Sequence, residues 1–350
     1  MAPVRLLVLG TGGMANTHAM NFATIPDVQL VAAVDVDLAK ARAFAARHDI
    51  PNTFTSLEEA LAWGEFDAVT NVTPDCAHYP TTLPLIAAGK HVMCEKPLAE
   101  TYGKADEMAT AAERAGLVNM VNLTYRNVAQ VQKARQMVLA GEIGKVRHIE
   151  ASYLQSWLVS KAWGDWSTES QWLWRLSTKH GSNGVLGDVG IHILDFAGYG
   201  AATDIDHIFA RLKTFEKAPG NRIGEYDLDA NDSFTMTAEF TNGAMGVIHA
   251  SRWATGHLNE LRLRIHGDKG ALEVIHRPDR SVLRACLQED VELAVWKEIA
   301  VDPVATNYQK FIAAIQEGRG QEPNFRHAAN LQKILDLAMV TELERRELTV

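Results

Sequence analysis

The stretch VRLLVLGTGGMA, Val4 to Ala15, decides the fold. Val4 to Leu9 reads as a largely apolar strand, and Gly10-Thr11-Gly12-Gly13-Met14-Ala15 follows as a G-x-G-x-x-A turn into a helix. Gly10 permits the tight turn, Gly12 lets the backbone approach a pyrophosphate, and Ala15 is small enough for helix and strand to pack closely. Gly13 and Met14 open the helix, whose unpaired N–H groups and positive dipole end suit phosphates. A second strand, VQLVAAVDVD, brings Asp35 to its tip, about 20 residues on, where a carboxylate can accept from ribose hydroxyls. Such a carboxylate repels a 2′-phosphate, and Val36, Asp37 and Leu38 supply no arginine, so NAD is expected over NADP. A lone glycine pattern is weak evidence. Here the strand before, the helix after and the acid beyond agree.

The alternation continues outward. Residues 38 to 48 read as a helix, and SLEEALA opens with a serine three residues before Glu59, a helix-start signature. FDAVTNV, a helix from His78 to Ala88, HVMCEK, a helix from Thr101 to Ala115 and LVNMVNL complete five strands and their crossovers. Such an order means a parallel sheet covered on both faces, with ligands beyond the carboxyl ends of its strands. Lys96 lies at one of these ends, stiffened by Pro97, and the Lys96–Pro97 amide can adopt the cis form.

After Tyr125 the rhythm changes. A helix (Asn127 to Ala140) and long alternating runs, KVRHIEASYLQS, DHIFARLKTF, DSFTMTAEF, AMGVIHASRW and NELRLRIHG, indicate an antiparallel sheet, with turns at Thr241-Asn242-Gly243 and at Gly267 to Gly270. Helices near 304–317 and 324–346 close the chain. The fold class is therefore α/β: a dinucleotide-binding Rossmann domain over residues 1–123 and an α+β domain over 124–350 with a large, mainly antiparallel open sheet. The last helices are free to pack back on the first domain.

Composition narrows the function. The 350 residues include 47% hydrophobic and 22% charged residues and carry a net charge of -9, which argues against nucleic acid as the main partner. No apolar run reaches membrane-spanning length and the N-terminus enters a strand directly, so a cytoplasmic protein is expected. Cys76, Cys94 and Cys286 form no CxxC pair, and no metal-ligand cluster is evident.

In GVLGDVGIHILDFAGYG, Asp188, His192 and Asp195 fall at i, i+4 and i+7, one face of an α-helix. Carboxylates one turn either side could orient a catalytic histidine; a structural polar cluster fits the same spacing. Five of the eight tryptophans, Trp157, Trp163, Trp166, Trp172 and Trp174, lie just before it, suited either to packing or to the apolar face of a sugar. Lys161, Arg126 and Arg175 could mark an acidic substrate.

Taken together, these residues resemble the Gfo/Idh/MocA oxidoreductases. The likeness rests on the glycine turn, Thr73-Pro74 with His78, Glu95-Lys96-Pro97, Trp174-Arg175, the D-x-x-x-H-x-x-D run from Asp188 to Asp195, and the segments EFTNG and IHGDKGAL. One departure is GSNGVLGD in place of three adjacent glycines. The resemblance implies an NAD-dependent dehydrogenase of a sugar, cyclitol or related polyol, with Lys96 on the reacting hydroxyl, His192 as general acid/base and Asp188 beside it. It also implies substrate contacts from Asp195, Tyr125, Arg126, Trp174 and Arg175. The cofactor would rest on Gly10, Gly12, Gly13, Met14 and Asp35, with Thr73, Pro74, His78, Glu95 and Lys96 toward the nicotinamide. A homodimer or homotetramer through the C-terminal sheet is expected. Redox-assisted glycoside cleavage and a non-catalytic NAD- and ligand-binding regulator are the alternative functions.

Overall fold

The computed structural model describes residues 3–350. It comprises two compact units: the chain up to Thr124 with Ala305–Lys333, and Tyr125–Val304 with Ile334–Val350. No helix among the described residues is long and apolar enough to cross a membrane.

In the first unit β1 (Val4–Leu9), β2 (Val28–Val34), β3 (Asn52–Phe54), β4 (Ala68–Asn71), β5 (His91–Cys94) and β6 (Asn119–Val121) form one sheet, ordered β3-β2-β1-β4-β5-β6. Every pairing is parallel. The crossovers carry α1 (Gly13–Ala23), α2 (Leu38–Arg47), α3 (Leu57–Trp63), α4 (Asp75–Ala87) and α5 (Tyr102–Ala115). The sequence suggests five strands; β3 is the sixth. Its three half-buried residues, after Pro51, are too few to show a period. Ser56 accepts from the Glu59 amide at 3.2 Å, so α3 starts where its signature places it.

Strand order reverses between β1 and β4, the switch point where such sheets bind ligands. Gly10 is required there: its φ is +86°, and a Cβ would lie 2.7 Å from the Val72 carbonyl oxygen. Beneath it, Leu6, Val8, Phe22, Ala33, Phe44, Met93 and Phe311 share one buried cluster. Full burial of a large apolar side chain contributes about 1.5–3 kcal/mol.

A polar network interrupts this core. His18 on α1 is fully buried, with Nδ1 2.7 Å from the Thr70 hydroxyl and Nε2 2.8 Å from a Glu95 oxygen. Asn122 donates to the same Glu95 oxygen at 2.7 Å and reaches the Tyr308 hydroxyl at 3.0 Å. The other Glu95 oxygen accepts from the Lys96 amide at 3.1 Å.

The second unit contains α6 (Ala129–Leu139), β7 (Val146–Gln155), α7 (Ser170–Leu173), α8 (Ile191–Ala201), β8 (Ile205–Lys213), β9 (Arg222–Ile223), β10 (Tyr226–Asp227), β11 (Ser233–Phe240), β12 (Met245–Ser251), β13 (Asn259–Gly267), β14 (Gly270–His276), β15 (Ser281–Leu287), β16 (Lys297–Glu298) and β17 (Leu348–Thr349). Nine of these strands form a sheet ordered β16-β15-β14-β13-β7-β12-β11-β8-β17. It is antiparallel throughout except for the parallel pair β7–β12. Helices α6 and α8 pack on this sheet. Along β11, Phe234, Met236, Ala238 and Phe240 are buried while Thr235, Thr237 and Glu239 are exposed, so its other face is open.

The Glu95 network gives the first unit a pH signature. Burial alone would raise the carboxyl's pKa, but the hydrogen bond and charge of His18, with Asn122 and Lys96, outweigh it and bring the group from 4.5 down to about 2. A depressed carboxyl stabilises the fold above its unfolded pKa and loses that contribution as pH falls through the folded value. Glu95→Gln should therefore cost on the order of 3 kcal/mol at pH 7. Between pH 4.5 and about 2 its stability should change less steeply than the parent's. Urea unfolding across that range measures both; parallel curves would mean that Glu95 carries no such linkage.

Candidate active site

The nucleotide side is built by the glycine turn. Gly12 caps α1 without a side-chain hydrogen bond and the first turn holds no acidic residue, so no side chain competes for its amides. A Cβ placed on Gly12 or Gly13 would meet nothing within 4 Å, and Met14 is 47% exposed. Open space over a helix N-terminus is what a pyrophosphate needs. Asp35 lies just past β2, where Thr11 donates to it through its amide at 3.0 Å and its hydroxyl at 2.6 Å. These features fit a dinucleotide: Gly10, Gly12, Gly13 and Met14 would hold its phosphates and Asp35 its ribose.

Toward the expected nicotinamide end, Lys96 is half-buried just past β5, and the Lys96–Pro97 bond is cis. Two neighbouring side chains turn into the fold. The His78 ring is fully buried, with Nδ1 2.7 Å from the Pro97 carbonyl and Nε2 2.9 Å from the Thr73 carbonyl. It braces the loops after β4 and β5. Glu95 likewise turns into the core toward His18 and Asn122, and its second oxygen accepts from the Lys96 amide. Thr73 donates its hydroxyl to Asn71 at 2.7 Å and, with Pro74, precedes α4.

In the second unit the uniform α-helical stripe does not form. Leu186–Gly190 is a π-helical turn carrying Asp188, and α8 begins at Ile191 with His192 and Asp195. Glycines at 187 and 190 lower the preference for a regular helix, which periodicity alone does not reveal. Each carboxylate is gripped by arginine. Asp195 receives the Arg126 Nε at 3.0 Å and a terminal nitrogen at 2.6 Å, both side chains buried. The two oxygens of Asp188 receive Arg175 and Arg252, each at 3.0 Å. Arg126 is thus a buried counter-ion of Asp195, further stacked on Tyr199. Lys161 is paired with Asp165 at 2.7 Å.

Around His192, itself only 8% exposed, Tyr125 packs edge-on with ring centroids 5.0 Å apart. The Tyr125 hydroxyl hydrogen-bonds that of Tyr153 and accepts from Asn259 at 3.3 Å. Burial, together with Tyr125 and the charge of Asp188, pushes the Tyr153 hydroxyl well above its ordinary pKa, so it stays protonated. Sequence reasoning missed His18, Asn122, Tyr153 and Arg252. Arg252 is fully buried, stacks over Trp157 and also donates to the Arg175 carbonyl at 3.0 Å. Only the cost of burying a charge beside the aromatic Trp253 could have hinted at it.

The tryptophan stretch is mostly packing. Trp157 is buried with Leu158, Leu173, Leu176 and Leu228, and Trp163, Trp166 and Trp172 pack against that cluster. Trp174 differs, being 37% exposed with the Arg175 guanidinium 4.8 Å from its ring. No metal-holding group of His, Cys, Asp or Glu occurs among the described residues.

Comparison with known proteins agrees with this construction. Residues 4–123 match the oxidoreductase family with an NAD-binding Rossmann fold, and residues 131–273 match the Gfo/Idh/MocA C-terminal domain. D-glucoside 3-dehydrogenase of Escherichia coli is 31% identical over 253 residues, covering 70% of this chain and 69% of that protein. Levoglucosan dehydrogenase of Pseudarthrobacter phenanthrenivorans is 26% identical, covering 81% and 76%. The crystal structure of an oxidoreductase domain protein from Kribbella flavida superposes with a TM-score of 0.88 at 29% identity, covering 100% of both chains. The chain belongs to the Gfo/Idh/MocA family of oxidoreductases and carries its NAD-binding domain.

Proposed function

We propose that this protein is an NAD-dependent dehydrogenase of a secondary hydroxyl on a pyranose sugar or cyclitol, with Lys96 and His192 as its catalytic pair. The observation that carries the pair is the arginine grip on Asp188 and Asp195. A carboxylate paired with arginine is a poor proton acceptor at neutral pH, whereas an imidazole ordinarily titrates there. His192 is therefore the member of the helix constellation suited to general base chemistry. Relatives named for glucosides and levoglucosan support the substrate class. The exposed Trp174 face suits the apolar side of a sugar ring.

Bound NAD supplies the hydride-accepting nicotinamide. His192 takes the proton from the substrate hydroxyl as its carbon gives up hydride, and the Lys96 ammonium donates to the same oxygen as negative charge grows there. Asp188 and Asp195 keep the helix and its histidine in place. Trp174 and Arg175 would contact the sugar. Subunits would meet through the open sheet face, where Met245 and Val247 are exposed beside the Glu150–Arg264–Glu273 charge ladder.

An NADH-absorbance screen over levoglucosan, glucosides, inositols and sugar acids identifies the substrate. With that substrate, Lys96→Met and His192→Ala should each lower turnover by about 10²–10⁴ while NADH affinity stays within about threefold. Full activity in either variant removes that residue from the pair. Lost NADH binding would place its role with the cofactor instead. Light scattering of the purified protein tests assembly: a dimer or tetramer that Val247→Lys dissociates is expected, and a monomeric parent would rule the interface out.

A further inference from the structure

The carboxylate of Asp35 has little freedom. Its Oδ2 accepts two hydrogen bonds from Thr11, the amide at 3.0 Å and the hydroxyl at 2.6 Å. Its Oδ1 accepts the Asp37 amide at 3.0 Å. An ionised carboxylate offers about four acceptor positions, so three are filled and one, on Oδ1, is left. Turning the group aside would break all three bonds together. Two of them come from the residue between the first two glycines of the turn, the position that the G-x-G pattern leaves unspecified.

We infer that Thr11 is a specificity-determining residue for the cofactor, locking Asp35 so that it offers one acceptor position to a ribose hydroxyl and cannot yield to a ribose phosphate. The inference rests on the reading of Asp35 as the ribose partner. Without the lock, a carboxylate at a strand tip can rotate toward solvent and relieve much of its repulsion with a 2′-phosphate. With it, the charge stays where a phosphate would have to sit.

The surroundings reinforce the effect. Partial burial acts to raise the pKa of Asp35, but the Thr11 hydroxyl, the amides of Asp37 and Thr11 and the charge of Lys40 more than offset it, so protonation is not an easy escape. Asp37 adds a second carboxylate, committed to capping α2 through the amides of Ala39 and Lys40 at 2.9 and 3.2 Å. Lys40 lies 3.8 Å from that Asp37 carboxylate, which draws it away from the role of phosphate partner. Val36, between the two acids, is 94% exposed and brings no donor of its own.

The test is binding, not turnover. Fluorescence titration gives dissociation constants of NADH and NADPH for the parent, Thr11→Val, Thr11→Ala, Thr11→Ser and Asp35→Ser. Thr11→Val keeps the shape and removes the hydroxyl; Thr11→Ala serves should valine disturb the turn. Either should reduce the NADH preference by about tenfold, the worth of one charge-assisted hydrogen bond, chiefly by tightening NADPH. Thr11→Ser, which restores the donor, should keep the preference within about twofold. If Asp35→Ser abolishes the preference while Thr11→Val and Thr11→Ala leave it intact, the inference is overturned and the role of Asp35 stands. If Asp35→Ser changes nothing, both fall.

Discussion

One buried carboxylate holds the nucleotide-binding unit in register. Glu95 touches groups from three directions: His18 on the helix that begins at the glycine turn, Asn122 beyond the last strand, and the amide of Lys96. A charge taken out of water is tolerated only when its partners are well placed, so each must be positioned for the others to be stable. Helix α1 and the lysine-bearing loop thus share an anchor. The hydrophobic cluster around Phe22 and Met93 supplies the apolar burial, and the polar network adds alignment and a pH-dependent share of the stability.

The second unit solves the corresponding problem with arginines. Asp188 and Asp195 would be costly on an apolar helix if left alone, and Arg175, Arg252 and Arg126 absorb both charges. Arg252 reaches Asp188 and the Arg175 carbonyl at once, so the segment before the helix and the π-helical turn are fixed by one side chain. This division of labour leaves His192 in a rigid setting of Tyr125 and Tyr153.

Much of this was legible in the chain itself. The apolar runs, the glycine turn, the Thr241-Asn242-Gly243 hairpin and the Ser56 cap all depend on neighbours in sequence, and local physics places them. What escaped depends on distant partners. His18 looks like an ordinary helical residue until Glu95, 77 positions away, is folded against it. Arg252 follows β12 in a run that says nothing of Asp188. The π turn needs a register that a period of 3.6 does not describe, and β3 is shorter than any period. For His78 and Arg126, only the fold shows that their polar atoms face inward.

The tryptophan cluster has an optical consequence. Seven of the eight tryptophans lie from Trp157 onward in the second unit, and Trp63 alone belongs to the first. Indole emission is therefore a one-sided signal: it follows the order of the second unit and is nearly silent about the first. Loosening of the segments that carry Trp157 to Trp174 would redden and dim the protein while its dinucleotide-binding half stayed folded. The second unit can thus be followed on its own, with no label added.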